Sequence, residues 1–177
     1  MKAWNHLKTV MTHKMLVMRY CFKIGLYRQG IIHDLSKFSY TEFRVGCQYW
    51  QGNRSPNNAE REALGYSASW LHHKGRNKHH FEYWIDYSLD GEFIGMKMPR
   101  RYVAEMLMDR ISASRTYLKN QYTDHSPLDY YLNGKTELLI HEETKAQLEM
   151  LLQKLAKEGE QELMRYIKQE FLNEKKH

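Results

Sequence analysis

Only two cysteines, Cys21 and Cys47, occur among 177 residues. That leaves neither a disulfide framework nor a cysteine-built zinc site. Proline is almost as scarce, with three, against thirteen tyrosines and ten methionines, a composition foreign to collagen-like or low-complexity chains. No run of 18 apolar residues exists, so no transmembrane helix is expected. The first twenty residues are interrupted by Asn5, His6, Lys8, His13, Lys14 and Arg19 and lack the apolar stretch of a secretory signal. A glycine-rich phosphate loop is missing, as is any two-residue periodicity long enough for a useful strand. Hydrophobic residues at 42% and aromatics at 13% rule out wholesale disorder. A cytoplasmic protein without a membrane partner is expected, formed as one domain over residues 1–177 and large enough to bury a core unaided.

Histidine is abundant. There are ten, and His72, His73, His79 and His80 fall within nine residues. Charge is uneven as well: residues 1–80 hold 13 Lys and Arg against 4 Asp and Glu, whereas residues 81–177 hold 14 against 17. The histidine-rich half is therefore the basic half, and its field favours an anionic partner such as a phosphorylated small molecule, a nucleotide or a nucleic acid.

Apolar residues at three- and four-residue spacing predict a first helix from about Lys2 to Tyr27, ended by Gly25 and Gly30. The apolar IIHDLSKFS segment follows. Ser39 and Glu42 then fit a capping box that opens a helix to about Trp50. QGNRSPNN reads as a loop, Ala59–His73 as a helix, Lys74–Lys78 as a polar break and HHFEYWIDYSL as a short aromatic helix. Gly91 and Gly95 belong to a second loop. Pro99 is placed to be the first residue of a helix reaching about Lys119, and Ser126-Pro127 opens a short tyrosine-rich turn. Two Leu-rich segments, about Thr136–Lys157 and Glu160–Leu172, read as a helical hairpin parted near Gly159, equally suited to capping the core or meeting another subunit. The fold class is all-α, a bundle of about seven helices with a C-terminal hairpin.

Several residues carry candidate chemistry. His33-Asp34 provides an imidazole and a carboxylate from adjacent positions, set between Ile31-Ile32 and Leu35, and the carboxylate's second oxygen is able to bridge to another cation. Asp109 is flanked by Met106, Leu107, Met108 and Ile111. A buried carboxylate there needs a cation, a partner or a shifted pKa, although an Asp at the edge of an amphipathic stripe, paired with some Lys or Arg, accounts for it equally well. WLHHKGRNKHH brings imidazoles from two elements together, unless it is a solvated basic loop. His13 alone would be an ordinary half-buried histidine.

Taken in order, His13, His33-Asp34, His73, His79-His80 and Asp109 resemble the HD-domain superfamily of metal-dependent phosphohydrolases, and HDLSK resembles its His-Asp-x-x-Lys stretch. More narrowly, GIIHDLSKFSYTEF with WLHHKGRNKHHFEYW resembles a small uncharacterised bacterial and phage family, a domain of unknown function, with HDxSKF-like and HxxxNxHH-like motifs. The resemblance covers residues about 1–120, the expected metal-site core, and leaves 121–177 as a helical extension. It implies His13, His33, Asp34 and Asp109 as ligands of one metal, with His73 and one or both of His79 and His80 serving a second. It also favours His73 over His72. Asp34 would bridge, and Asp34 and Lys37 would be catalytic. Lys37, Arg76, Lys78 and Arg110 are candidates for clamping phosphoryl oxygens, and Asn77 for contacting substrate or orienting a histidine.

Three functions follow as alternatives. The leading one is a phosphohydrolase using one or two divalent transition-metal ions (iron, manganese, zinc or similar) on a nucleotide or other small phosphorylated compound. The second is a di-iron redox enzyme on the same helices. The third is a non-catalytic basic module that binds nucleic acid or a protein. The acidic C-terminal half and the lack of a helix-turn-helix weigh against the last.

Overall fold

The computed structural model describes residues 2–134 and 139–173. Its long elements are α1 (Lys2–Lys23), α6 (Arg100–Leu118) and α8 (Glu142–Tyr166). Helix α6 buries Val103, Ala104, Met106, Leu107, Met108 and Ile111, residues that face in nearly every direction, as befits a helix enclosed by others. It packs against both α1 and α8. One apolar cluster joins Val17, Cys21 and Ile24 of the first segment to α6 and to Leu148, Leu151, Leu152 and Leu155 of α8.

Helix α8 doubles back at Gly159, whose φ of 83° and ψ of 171° break the helical path. The contacts at either end define the hairpin. Near the start of α8, the Thr144 hydroxyl accepts from Met98 N at 3.0 Å. The Phe171 carbonyl, beyond the corner, accepts from Arg100 at 3.1 Å. Both lie beside the beginning of α6. Glu160, at the corner, meets Arg115 near the end of α6 at 2.7 Å, together with Tyr20 and Lys23. The hairpin thus braces α6 from both ends and covers the core. Its expected start near Thr136 lies outside the described residues.

The shorter elements are α2 (Tyr27–Ile32), α3 (Tyr40–Tyr49), α4 (Pro56–Leu64), α5 (Ala68–Lys74) and α7 (Ser126–Asn133), making eight α-helices among the described residues. The class is all-α as expected, with local differences. The first helix stops at Lys23 because Gly25 is left-handed, at φ 84°, and the chain starts α2 at once. Gly30 is no terminator: it sits inside α2, where a Cβ would come within 3.0 Å of the Cys21 Cβ. The expected Ala59–His73 helix divides at Gly65, with φ 80°, and Ser67 caps α5 by accepting from Trp70 N. The aromatic segment is not a helix. It forms a 3₁₀ turn, Phe81–Trp84, and then β1 (Ile85–Tyr87), paired antiparallel with β2 (Phe93–Gly95) in the register Asp86↔Ile94. Pro99 precedes α6 as its N-cap, and Ser126-Pro127 opens a helix instead of a turn. No helix among the described residues is long and apolar enough to cross a membrane.

The Gly159 backbone occupies a region reserved for glycine. Gly159→Ala is expected to destabilise the fold by about 1–3 kcal/mol in urea denaturation, whereas Lys157→Ala, on the exposed face, should stay within about 0.5 kcal/mol of the parent.

Candidate metal centre

Between α2 and the 3₁₀ turn Leu35–Phe38, the chain turns through Asp34 with φ 55° and ψ 23°, the left-handed region. Outside glycine this conformation favours Asp and Asn. Here it directs two successive side chains inward, leaving His33 and Asp34 each 1% exposed. Lys14 fastens the segment to α1 by donating to the Ile31 and His33 carbonyls, both at 2.8 Å. His13, the residue before Lys14 in α1, lies on the buried stripe of that helix. Asp109 comes from α6, His73 from the end of α5, and His79 and His80 from the turn that follows it.

These side chains form two donor groups that share one carboxylate. His13, His33, Asp34 and Asp109 make the first, and Asp34, His73, His79 and His80 the second; within each, the donor atoms all lie within 4.8 Å of one another. The two oxygens of Asp34 divide between them. Oδ2 is 3.2 Å from His33 Nε2 and 3.7 Å from His13 Nε2. Oδ1 is 3.3 Å from His73 Nε2 and 3.5 Å from His79 Nε2. Asp109 closes the first group, with Oδ1 2.9 Å from His13 Nε2, and reaches toward the second, with Oδ2 3.8 Å from His79 Nε2. His80 Nε2 is 2.9 Å from His73 Nε2.

Proximity here is not hydrogen bonding. The Nε2 atoms of His13, His33 and His79 and the Asp34 Oδ1 are buried without a hydrogen-bond partner among the described residues. Each such orphan costs about 1–3 kcal/mol, and the four point into a common space. Donors arranged tetrahedrally at about 2.1 Å from an ion stand about 3.4 Å apart, close to the separations found. The donor set fits a divalent transition metal, to which imidazole and carboxylate are suited.

The Nδ1 edge of three of these rings is held. Glu105 Oε1 lies 2.9 Å from His33 Nδ1 and 3.2 Å from His79 Nδ1. The Glu42 carboxylate receives His73 Nδ1 at 2.8 Å and His72 Nδ1 at 2.6 Å. A carboxylate on Nδ1 leaves the Nε2 lone pair free for an ion and fixes the ring's orientation. Glu42 and Glu105 were not anticipated. Ser39 does cap α3 by accepting from Glu42 N, but the Glu42 side chain leaves the expected capping box for the histidines. Glu105 lies one helical turn before Asp109, an i, i+4 relation that was the available signal. His72 stands behind His73 on Glu42, not in the centre.

All seven expected ligands come together. Lys37 reaches the same place, with Nζ 2.6 Å from Asp34 Oδ2. A cleft of about 730 Å³ opens onto the site, lined there by His13, Lys37, His73, His80, Asp109 and Arg110. Asn77 is buried and donates to Ser36 Oγ and to the His73 carbonyl, each at 2.8 Å, which positions the histidine turn. Arg76 and Lys78 are exposed and outside the cleft lining.

Electrostatics follow from the packing. Burial opposes charge on His33, yet Asp34, Asp109 and Glu105 outweigh it and raise its pKa well above the usual value. His73 is raised in the same way, against burial, by Asp34 and Glu42. Burial, with His79 and His73 nearby, pushes His80 well below. Despite burial, the neighbouring imidazoles and Lys37 hold Asp34 well below the carboxylate range, and His13 and His33 do the same for Asp109.

An all-α protein with a buried histidine–aspartate centre able to hold a metal ion is thereby defined. The chain belongs to a family of unknown function (DUF5662), whose model matches residues 2–154, a span that continues past residue 120 into the first arm of the hairpin. No curated protein and no solved structure matches the chain.

Glu105→Gln, which keeps the shape but removes the charge, is expected to weaken divalent-metal binding about 10–100-fold in calorimetric titration. Because His33 and His73 must lose protons to become ligands, metal affinity should rise with pH from about 6 to 8. Protons released on binding would be read from titrations in buffers of different ionisation enthalpy. An affinity that ignores pH across that range would contradict the assignment of these rings as ligands.

Proposed function

We propose that the protein is a metal-dependent phosphohydrolase acting on a nucleotide or other small phosphorylated compound. The observation that carries this reading is the division of Asp34 between two donor groups at the end of a cleft that also presents Lys37 and Arg110. The ordered resemblance to the HD-domain superfamily supports it further. Every candidate ligand falls before position 120, so residues 1–120 act as the metal core of one HD-like domain and the described residues beyond it as its brace.

When bound, one or two divalent transition-metal ions (iron, manganese, zinc or similar) would polarise the phosphoryl group and make an attacking water more acidic. The chain's own residues do the rest. His13, His33 and Asp109 hold one side of Asp34, and His73, His79 and His80 the other. Lys37 neutralises Asp34 Oδ2 as the side chains now stand. Lining the same cleft, the ammonium would also serve a phosphoryl oxygen. Arg110, whose Nε is buried without a hydrogen-bond partner among the described residues, offers its guanidinium to a second oxygen, a geometry suited to phosphate. Asn77 acts through His73, whose backbone and ring it holds.

Protein purified without chelator should carry one or two transition-metal ions per chain by elemental analysis, and His33→Ala or Asp34→Ala should strip them. Asp109→Asn should lower both metal content and phosphate release from a panel of phosphate esters. Lys37→Ala should retain metal and lose about 10²–10³-fold in kcat. Iron with oxygen consumption and no phosphate release would replace this reading with the redox one. Metal-free protein whose nucleic-acid binding falls steeply with salt would replace it with the binding module.

A further inference from the structure

His6 stands on the same buried stripe of α1 as Val10, His13 and Val17. Seven residues of helix place it about 10 Å from His13 on nearly the same face. It lines the cleft, is 7% exposed, and its Nδ1 is buried without a hydrogen-bond partner among the described residues. Its ring rests against Phe43, with centroids 5.4 Å apart.

A second observation concerns α3. Gly46 lies in the interior of that helix, where glycine is the poorest residue after proline. A Cβ at position 46 would come within 2.0 Å of His6 Nε2. Helix α3 therefore carries a glycine where the imidazole comes closest. Trp50, at the end of the same helix, also lines the cleft and donates to Thr9 Oγ1 at 3.3 Å. His6, Gly46, Thr9 and Trp50 make a distal pocket with one aromatic wall and one imidazole whose Nδ1 is unpartnered.

We infer that His6 is a specificity residue that hydrogen-bonds the non-phosphate half of the substrate, two helical turns along α1 from His13. The inference rests on the phosphoester reading above and narrows it: the substrate is larger than a bare phosphate and carries a polar group remote from phosphorus. Burial, with the Lys37 charge, lowers the His6 pKa, so the neutral ring has one donor and one acceptor to offer.

The test compares two probes on manganese-loaded protein by calorimetry. Inorganic phosphate reaches only the metal end, whereas adenosine monophosphate is long enough to reach both. His6→Ala is expected to weaken the nucleotide at least tenfold more than it weakens phosphate, with manganese stoichiometry retained. Gly46→Ala, which displaces the ring, should reproduce that ratio, and the double variant should be no worse than His6→Ala alone. Equal effects on both probes, or additive effects of the two substitutions, overturn the assignment of His6 and leave the phosphohydrolase reading standing. Wild-type protein that holds manganese and binds neither probe overturns both.

Discussion

The Asp34 carboxylate lies in the interior at 1% exposure, its Oδ1 without a hydrogen-bond partner among the described residues and its Oδ2 held by Lys37 Nζ at 2.6 Å. Such a group is tolerated only with positive charge against it, since an uncompensated buried charge costs several kcal/mol. Much of the surrounding architecture answers that requirement. Four imidazole Nε2 atoms and one ammonium are drawn to within 4 Å of it, from α1, the α2 turn, the end of α5 and the loop beyond. The left-handed turn at Asp34 itself, the Lys14 tether and the Asn77 contacts place the partners accurately enough for one carboxylate to face them all.

Around this centre the fold works as a brace. Helix α6 carries Glu105 and Asp109 one turn apart, so a single rigid element provides an outer support and an inner donor. The hairpin fixes α6 at both ends, through Thr144 and Phe171 at one and Glu160 at the other. Buried apolar residues on α1 and α8 then hold the helices that bear the ligands at a spacing where a fraction of an ångström matters to coordination. The distal pocket at His6 uses the same α1 stripe, two turns from His13, so that pocket and the candidate metal centre share one helix.

Much of this was legible in the sequence. The order of His13, His33-Asp34, His73, His79-His80 and Asp109, read through its resemblance to a family pattern, pointed to the side chains that come together. The first helix declared itself by periodicity, α6 by the proline before it, and the two arms that meet at Gly159 by their leucines. What escaped was set by tertiary contact. Glu42 satisfies a local capping pattern, and only the arrival of α5 beside α3 diverts its side chain to His72 and His73. Glu105 looks like one polar residue in an apolar helix until His33 and His79 are placed on it. The strands Ile85–Tyr87 and Phe93–Gly95 are three residues each, too short for a two-residue period to show against an aromatic run. Gly30 resembled a helix terminator, and its packing against Cys21 is invisible without the neighbouring helix.

The Glu105 carboxylate has a consequence for how the centre fills. Through one oxygen it holds His33, a donor of the first group, and His79, a donor of the second. Neither ring can rotate without disturbing the hydrogen bond of the other. An ion held by either ring would therefore order the other ring in advance, and coupling between the two donor groups would run through Glu105.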